Sequence, residues 1–208
     1  MDERRRRLLA IALAWPLAAG TDARAQPAAA NGVFLVARPE LRDPNFRQTV
    51  VLLTQPQATG GPLGVIINRP LAARLSEALP DAGEIPESAS QIYGGGPVAR
   101  NRLLFLVRSG EAPARSLQVL DDVYLTADRE LPASVARGEL QADQYRAYAG
   151  YAGWGRRQLQ SEIDAGGWYL TNADADTIFA ADASEVWPAM IRRATQLRAD
   201  HRDARWLG

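Results

Sequence analysis

The stretch Ala149-Gly150-Tyr151-Ala152-Gly153-Trp154-Gly155-Arg156-Arg157-Gln158-Leu159 constrains this chain more than any other. Three glycines and two aromatics stand directly before an amphipathic helix. Glycine admits backbone conformations and close approaches that a β-carbon forbids. Tyrosine and tryptophan each bring a large apolar face and one polar handle. Such a segment reads as a loop that either locks a tight strand-to-helix corner or lines a site. The chain around it, 208 residues in all, is long enough for one domain or a domain with appendages. At that size folding hides roughly 70% of the unfolded surface, so no disulfide or metal staple is needed.

Missing residue types remove whole chemistries. All 24 basic residues are arginine, cysteine is absent, and the one histidine is His201. Without lysine there is no Walker-type phosphate loop and no Schiff base. Without cysteine there is no thiol nucleophile and no zinc–thiolate site. A single histidine in a polar tail argues against a serine–histidine–aspartate triad or a histidine metal cluster. Asp/Glu, Ser/Thr, Tyr, Asn and Arg remain for chemistry. No catalytic residue is singled out, and neither a metal nor a cofactor is expected.

Residues 1–25 read as a secretory signal peptide. Arg4 to Arg7 precede an apolar run from Leu8 to Gly20, and Ala23-Arg24-Ala25 fits a small-residue cleavage site. The run is too short for a bilayer, which needs about 20 apolar residues, so no stable membrane span is expected. Arg5-Arg6-Arg7-Leu8-Leu9 leaves Sec and twin-arginine export both open. Cleavage gives a periplasmic or secreted protein starting at Gln26. A mis-set start codon gives a cytoplasmic one instead. The mature chain keeps 19 arginines against 21 acidic residues, a charge of −2. That balance offers no clustered basic face for nucleic acid. Residues 26–31 read as a tether, 32–198 as the folded domain and 199–208 as a frayed C-terminal tail.

Val33 to Ala37, Thr49 to Leu53 and Leu63 to Ile67 read as strands, the last two as a hairpin across Gly60-Gly61-Pro62. Leu71, Leu75, Ala78 and Leu79 follow helical spacing. Gln91 to Tyr93 and Leu103 to Val107 read as strands, and Leu117 to Leu120 with Val123 to Leu125 as a hairpin turning at Asp121-Asp122. Asp128 to Arg137 reads as a helix stopped by Gly138. Tyr145 to Ala149 is a strand entering the glycine–aromatic loop, and Gln158 to Ile163 is the helix after it. Trp168 to Thr171 is a late strand, and a helix from near Ser184 presents Val186, Trp187, Met190 and Ile191 on one face. Strict β-α-β alternation is missing, which favours an α+β (mixed α/β) domain over a doubly wound one.

Five landmarks stand in order: Asp43-Pro44-Asn45-Phe46, Gly64 to Pro70, Tyr93 to Val98, Gly150 to Leu159, and Trp168 through Phe179. Together, over roughly Gly32 to Ala194, they resemble the AlgH/YqgE family of bacterial proteins. The resemblance implies a single compact domain with a large mixed β-sheet and flanking helices. It implies a regulatory role, through a link to control of the exopolysaccharide alginate, and brings no catalytic residues. The chain departs from the pattern in its export signal, in Arg108-Ser109 where a histidine–serine pair is common, and in Asp122-Val123 where an aspartate–glycine is expected.

Candidate ligand-binding residues cluster at three places. Gly94, Gly95 and Gly96 form either an anion cradle of backbone N–H groups or a plain tight corner. Asn68 and Arg69 end a strand, where the guanidinium fork either holds a carboxylate or phosphate or sits idle on the surface. Tyr151 and Trp154 either stack on a flat or sugar-like ligand or pack in the core, and Arg156 and Gln158 flank a helix start that favours anions. These three segments are expected to meet at one edge of the sheet. Asn172, Asp174 and Asp176 are rejected as a calcium loop, because Thr177 and Ala183 stand where glycine and glutamate are needed. The chain is then an exported binding or regulatory module for a small anionic ligand or a protein partner. The alternative is an enzyme using Asp/Ser/Tyr chemistry on a phosphate- or sugar-bearing substrate.

Overall fold

A computed structural model describes residues 32–54, 61–155 and 157–204, with side chains to 197 except at 142. The signal peptide and tether expected over 1–31, and Arg156, lie outside the described residues. The strands are β1 (Val33–Ala37), β2 (Val50–Thr54), β3 (Leu63–Ile66), β4 (Pro70–Arg74), β5 (Gln91–Gly94), β6 (Val98–Arg108), β7 (Ser116–Leu120), β8 (Val123–Thr126), β9 (Tyr145–Gly153) and β10 (Trp168–Asn172). The helices are α1 (Leu75–Ala78), α2 (Leu131–Ala136), α3 (Gln158–Asp164), α4 (Ala175–Ile178) and α5 (Ala183–Ala204). All strands join one curled α+β sheet in the order β10-β1-β2-β3-β9-β6-β8-β7, with β4 on β5 and β5 on β9. Every pairing is antiparallel except β5 with β9, so the sheet is mixed, as expected.

The continuous apolar runs of β1 and β2 follow from cover on both faces. Phe34, Val36, Val50 and Leu52 point into a central core with Val186 and Met190 of α5. Leu35, Ala37, Val51 and Leu53 point the other way, against Trp154, Trp168 and Leu159 of α3. A third cluster lies under α1 and α2, where Leu75, Leu131 and Val135 meet Phe105, Val107 and Ala147. The Trp187 indole N–H donates to the Ala37 carbonyl at 2.7 Å and fixes α5 on β1. Asp174 caps α4 through the Thr177 N–H and accepts from Arg193 of α5 at 2.6 Å. Burial alone would push its carboxyl up; those two donors hold it below its ordinary value. No helix among the described residues is long and apolar enough to cross a membrane.

Three local expectations are corrected. Leu71 does not start a helix: Pro70–Arg74 is an extended partner of β5, and only Leu75–Ala78 is helical. The glycine–aromatic segment is not a loop up to Gly153, because β9 runs through it as a strand. Backbone of α5 stays helical to Ala204, past the point expected to fray. The Asp121-Asp122 turn does join two antiparallel strands, and Asp122 accepts from Arg108 at 2.8 Å.

Candidate functional site

One side of β9 is shared between two strands. Ile92, Tyr93 and Gly94 of β5 pair with Ala147, Tyr148 and Ala149, and farther along Gly64 and Leu63 of β3 pair with Ala152 and Gly153. The handover falls at Gly150, whose φ is 75°. There the Gly95 N–H donates to the Ala149 carbonyl at 2.9 Å, and the Gly95 carbonyl accepts from Ile66 at 2.8 Å. A β-carbon on Gly95 would lie 2.2 Å from the Gly150 oxygen, and one on Gly96 2.1 Å from the Tyr151 carbonyl carbon. The glycine run therefore answers a close crossing of backbones. It is not an open anion cradle at Gly94 and Gly95, because their N–H groups already donate to Arg69 and Ala149.

Above this crossing the chain leaves β3 through Asn68 and Arg69. Asn68 Oδ1 accepts from the Val50 N–H at 2.9 Å, and its amide donates to the Gln48 carbonyl at 3.0 Å. Arg69 Nη1 donates to the Asn45 carbonyl at 2.7 Å, and Nη2 to the Arg47 carbonyl at 3.3 Å. Both side chains thus clamp the corner after β1 onto the sheet. Arg100 reaches the same corner, with Nη2 3.5 Å from Asn45 Oδ1. Burial lowers the Arg69 pKa, and Arg47 and Arg100 push the same way against Asp43. Among the described residues none of these three arginines forms an ion pair. Arg69 and Arg100 share a cleft of about 300 Å³, lined also by Pro44, Asn45, Gly94 and Gly96, among others.

The three expected segments are placed unequally. Arg69 of the first segment and Gly94, Gly96 and Pro97 of the second line the cleft, whereas next to the third only Ala149 does; Gly150 itself lies against the backbone of Gly96, Val98 and Arg100. Tyr151 sits behind Gly96 on β9. Trp154 is 4% exposed and packs on Phe46, ring centroids 5.7 Å apart, and edge-on to Trp168 at 6.3 Å. Its indole N–H and that of Trp168 both donate to Glu162 Oε2 at 3.0 Å. Gln158 accepts from the Gly155 N–H at 3.1 Å and donates to Glu162 Oε1 at 3.0 Å, so the start of α3 is occupied by its own side chains. Trp154 belongs to the packing under α3 and Gln158 to the exposed first turn of that helix, both away from the cleft. Sequence reasoning missed Arg47, Arg100 and the Asn45 carbonyl. The only signal for them was the Asp43-Pro44-Asn45 corner itself.

The family described as AlgH-like matches residues 34–198. A UPF0301 protein of Thermobifida fusca is 37% identical over 172 residues, covering 78% of this chain and 86% of its own. A UPF0301 protein of Chlorobium luteolum is 33% identical over 164 residues, 78% of this chain and 85% of its own. The solution structure of the AlgH protein from Pseudomonas aeruginosa superposes with a TM-score of 0.64 at 30% identity, over 81% of this chain and 91% of that one. A crystal structure of a Corynebacterium diphtheriae protein, 21% identical, shares the fold with a TM-score of 0.65 over 79% and 86% of the two chains.

Proposed function

Because the chain belongs to the AlgH-like family, and the names of these relatives carry no reaction, we propose from its own geometry that it is an exported module that binds a small anion. The site is the cleft between Arg69 and Arg100. One observation carries this reading: Arg69 and Arg100 both line the cleft, Arg47 lies near enough to act on Arg69, and among the described residues none of the three forms an ion pair. Like charges held together are stabilised by an anion that spans them, and a planar guanidinium suits phosphate or carboxylate. The lining includes no Asp, Ser, Thr or Tyr. It offers neither nucleophile nor general base, which favours binding over the enzyme reading. Occupancy would hold the corner from Asp43 to Arg47 against the sheet, and that is where a regulatory signal would be expressed.

Inorganic phosphate is the probe. Calorimetric titration of the purified chain is expected to show binding that weakens with salt, since exposed charges are screened beyond about 8–10 Å. Arg100→Ala should weaken it by about tenfold or more and leave the melting temperature unchanged, because a half-free surface arginine contributes little to folding. Arg69→Ala should also lose binding, but with a stability loss of about 1–3 kcal/mol from the two abandoned carbonyls. Equal phosphate affinity in the parent chain and Arg100→Ala, or no binding at all, would refute the site.

Export rests on the ordered signal from Arg4 to Ala25. Peptide mapping of protein isolated from its own host is expected to give Gln26 as the N-terminus, outside the cytoplasm. A chain starting at Met1, or at Val33 from a re-set start, would count against export.

A further inference from the structure

The close crossing of backbones accounts for Gly95 and Gly96 but not for Gly94. A β-carbon on either of the first two would run into main-chain atoms of β9. Gly94 is different. Its φ lies outside the left-handed region that favours glycine. The nearest atoms to a β-carbon there would be Leu71 Cδ2 at 3.3 Å and Arg69 Cδ and Cγ at 3.7 and 3.8 Å. These are side-chain atoms, and the closest of them ends a flexible chain. Alanine would keep the bond from the Gly94 N–H to the Arg69 carbonyl. The fold therefore does not demand glycine at this position. What the missing side chain leaves is room in the arginine cleft, which Gly94, Leu71 and Arg69 all line.

The rest of the lining combines two chemistries. Arg69 and Arg100 bring positive charge, and no Asp or Glu stands with them among the described residues of the lining. A guanidinium has N–H groups beyond the two that Arg69 gives to the Asn45 and Arg47 carbonyls. Pro44, Leu71, Pro97 and Ala149 are apolar. Leu71 and Ala149 also pack on the cluster under α1 and α2, so this wall continues into the core. The volume, about 300 Å³, stands at the lower end of the range for organic ligands. A ligand matched to these walls carries a charged head and a small apolar body.

Resting on the anion site argued above, we propose that the cleft takes a phosphate monoester of a small aliphatic alcohol. The phosphate spans Arg69 and Arg100, and the alkyl group lies against Leu71 in the space that Gly94 leaves open. A dianion answers two guanidinium groups, whereas a carboxylate carries the charge for one. Near pH 7.5 a phosphate monoester is largely a dianion, since its second pKa is about 6. Each methylene moved from water onto an apolar wall strengthens binding by up to about fourfold.

Calorimetric titration of the purified full chain at about pH 7.5 compares inorganic phosphate, methyl phosphate, butyl phosphate and butyrate. Butyl phosphate is expected to bind about tenfold or more tightly than methyl phosphate. Butyrate should bind about tenfold or more weakly than butyl phosphate. Gly94→Ala places a methyl between Leu71 and Arg69, and should weaken butyl phosphate at least about fivefold more than inorganic phosphate. If both esters bind but butyl phosphate is no tighter than methyl phosphate, this inference falls and the anion site stands. Butyrate matching butyl phosphate would overturn it in favour of a monocarboxylate. An equal effect on both ligands in Gly94→Ala, or none, would put the alkyl group elsewhere and overturn the placement. If none of the four ligands binds, the anion site itself is lost, and this inference with it.

Discussion

Gly95→Ala is expected to cost about 3 kcal/mol or more, because overpacking against fixed backbone has no rotamer escape. The added methyl would sit 2.2 Å from the Gly150 carbonyl oxygen. Neither partner can retreat. The Gly95 N–H and carbonyl are bonded to Ala149 and Ile66, and β9 is held on its other side by β6. Relief requires prising β5 from β9, which would open the seam beneath the arginine cleft. Gly110→Ala is the control: nothing lies within 4 Å of its β-carbon position, and its stability should stay within about 0.5 kcal/mol of the parent. Urea unfolding of both variants decides the matter. A midpoint for Gly95→Ala matching the parent would mean that the crossing is looser than its distances say.

Glu162→Ala is expected to remove about 2–4 kcal/mol, since bonds to a charged acceptor are worth about 1.5–3 kcal/mol each and two indoles lose theirs together. Trp154 and Trp168 are each 4% exposed, so water does not replace the carboxylate freely. For a chain of this size the melting temperature should fall by roughly 5–15 °C. Glu162→Gln keeps one carbonyl oxygen and should lose about 1 kcal/mol. Tryptophan fluorescence reads the same event locally, and both variants should shift it to the red, the alanine variant further. If Glu162→Ala melts with the parent, the two indoles are held by packing with Phe46 alone.

Much of the sheet was legible in the sequence because its strands carry their own signal. The runs Val33 to Ala37 and Val50 to Leu53 are apolar on both faces, and no exposed helix has that pattern. Two elements hid their identity for physical reasons. Leu71 and Leu75 both reach the cluster under α1 and α2, one from an extended segment and one from the helix after it. Their spacing imitates a single helical face. In β9 both faces are covered at Ala147 and Tyr148, which breaks the alternation, and the glycines after them contribute no side chain to the count. The candidate site was half legible for a related reason. Arg69 and the glycines announce themselves by type and spacing. Arg47 and Arg100 are ordinary arginines in a chain with 24 of them, and only the approach of the corner after β1 to Arg69 selects them. Trp154 shows the reverse case. Its neighbours suggested a binding face, whereas the acceptor for its N–H lies on the helix eight residues later.

The split edge of β9 also fixes an order in time. β3 is complete at Ile66, but part of the edge it joins is formed by Ala152 and Gly153. β1 waits longer still, because Leu35 pairs with Leu170. At about 5–20 residues per second of synthesis, β3 stands without that neighbour for roughly 5–20 s. Pairings so distant along the chain are slow to close. The most apolar strands are therefore made first and covered last. A ribosome-bound or refolding chain carries β1 to β3 as its sticky end, and the arrival of Tyr145 to Gly153 sets the pace at which that end is withdrawn from other chains.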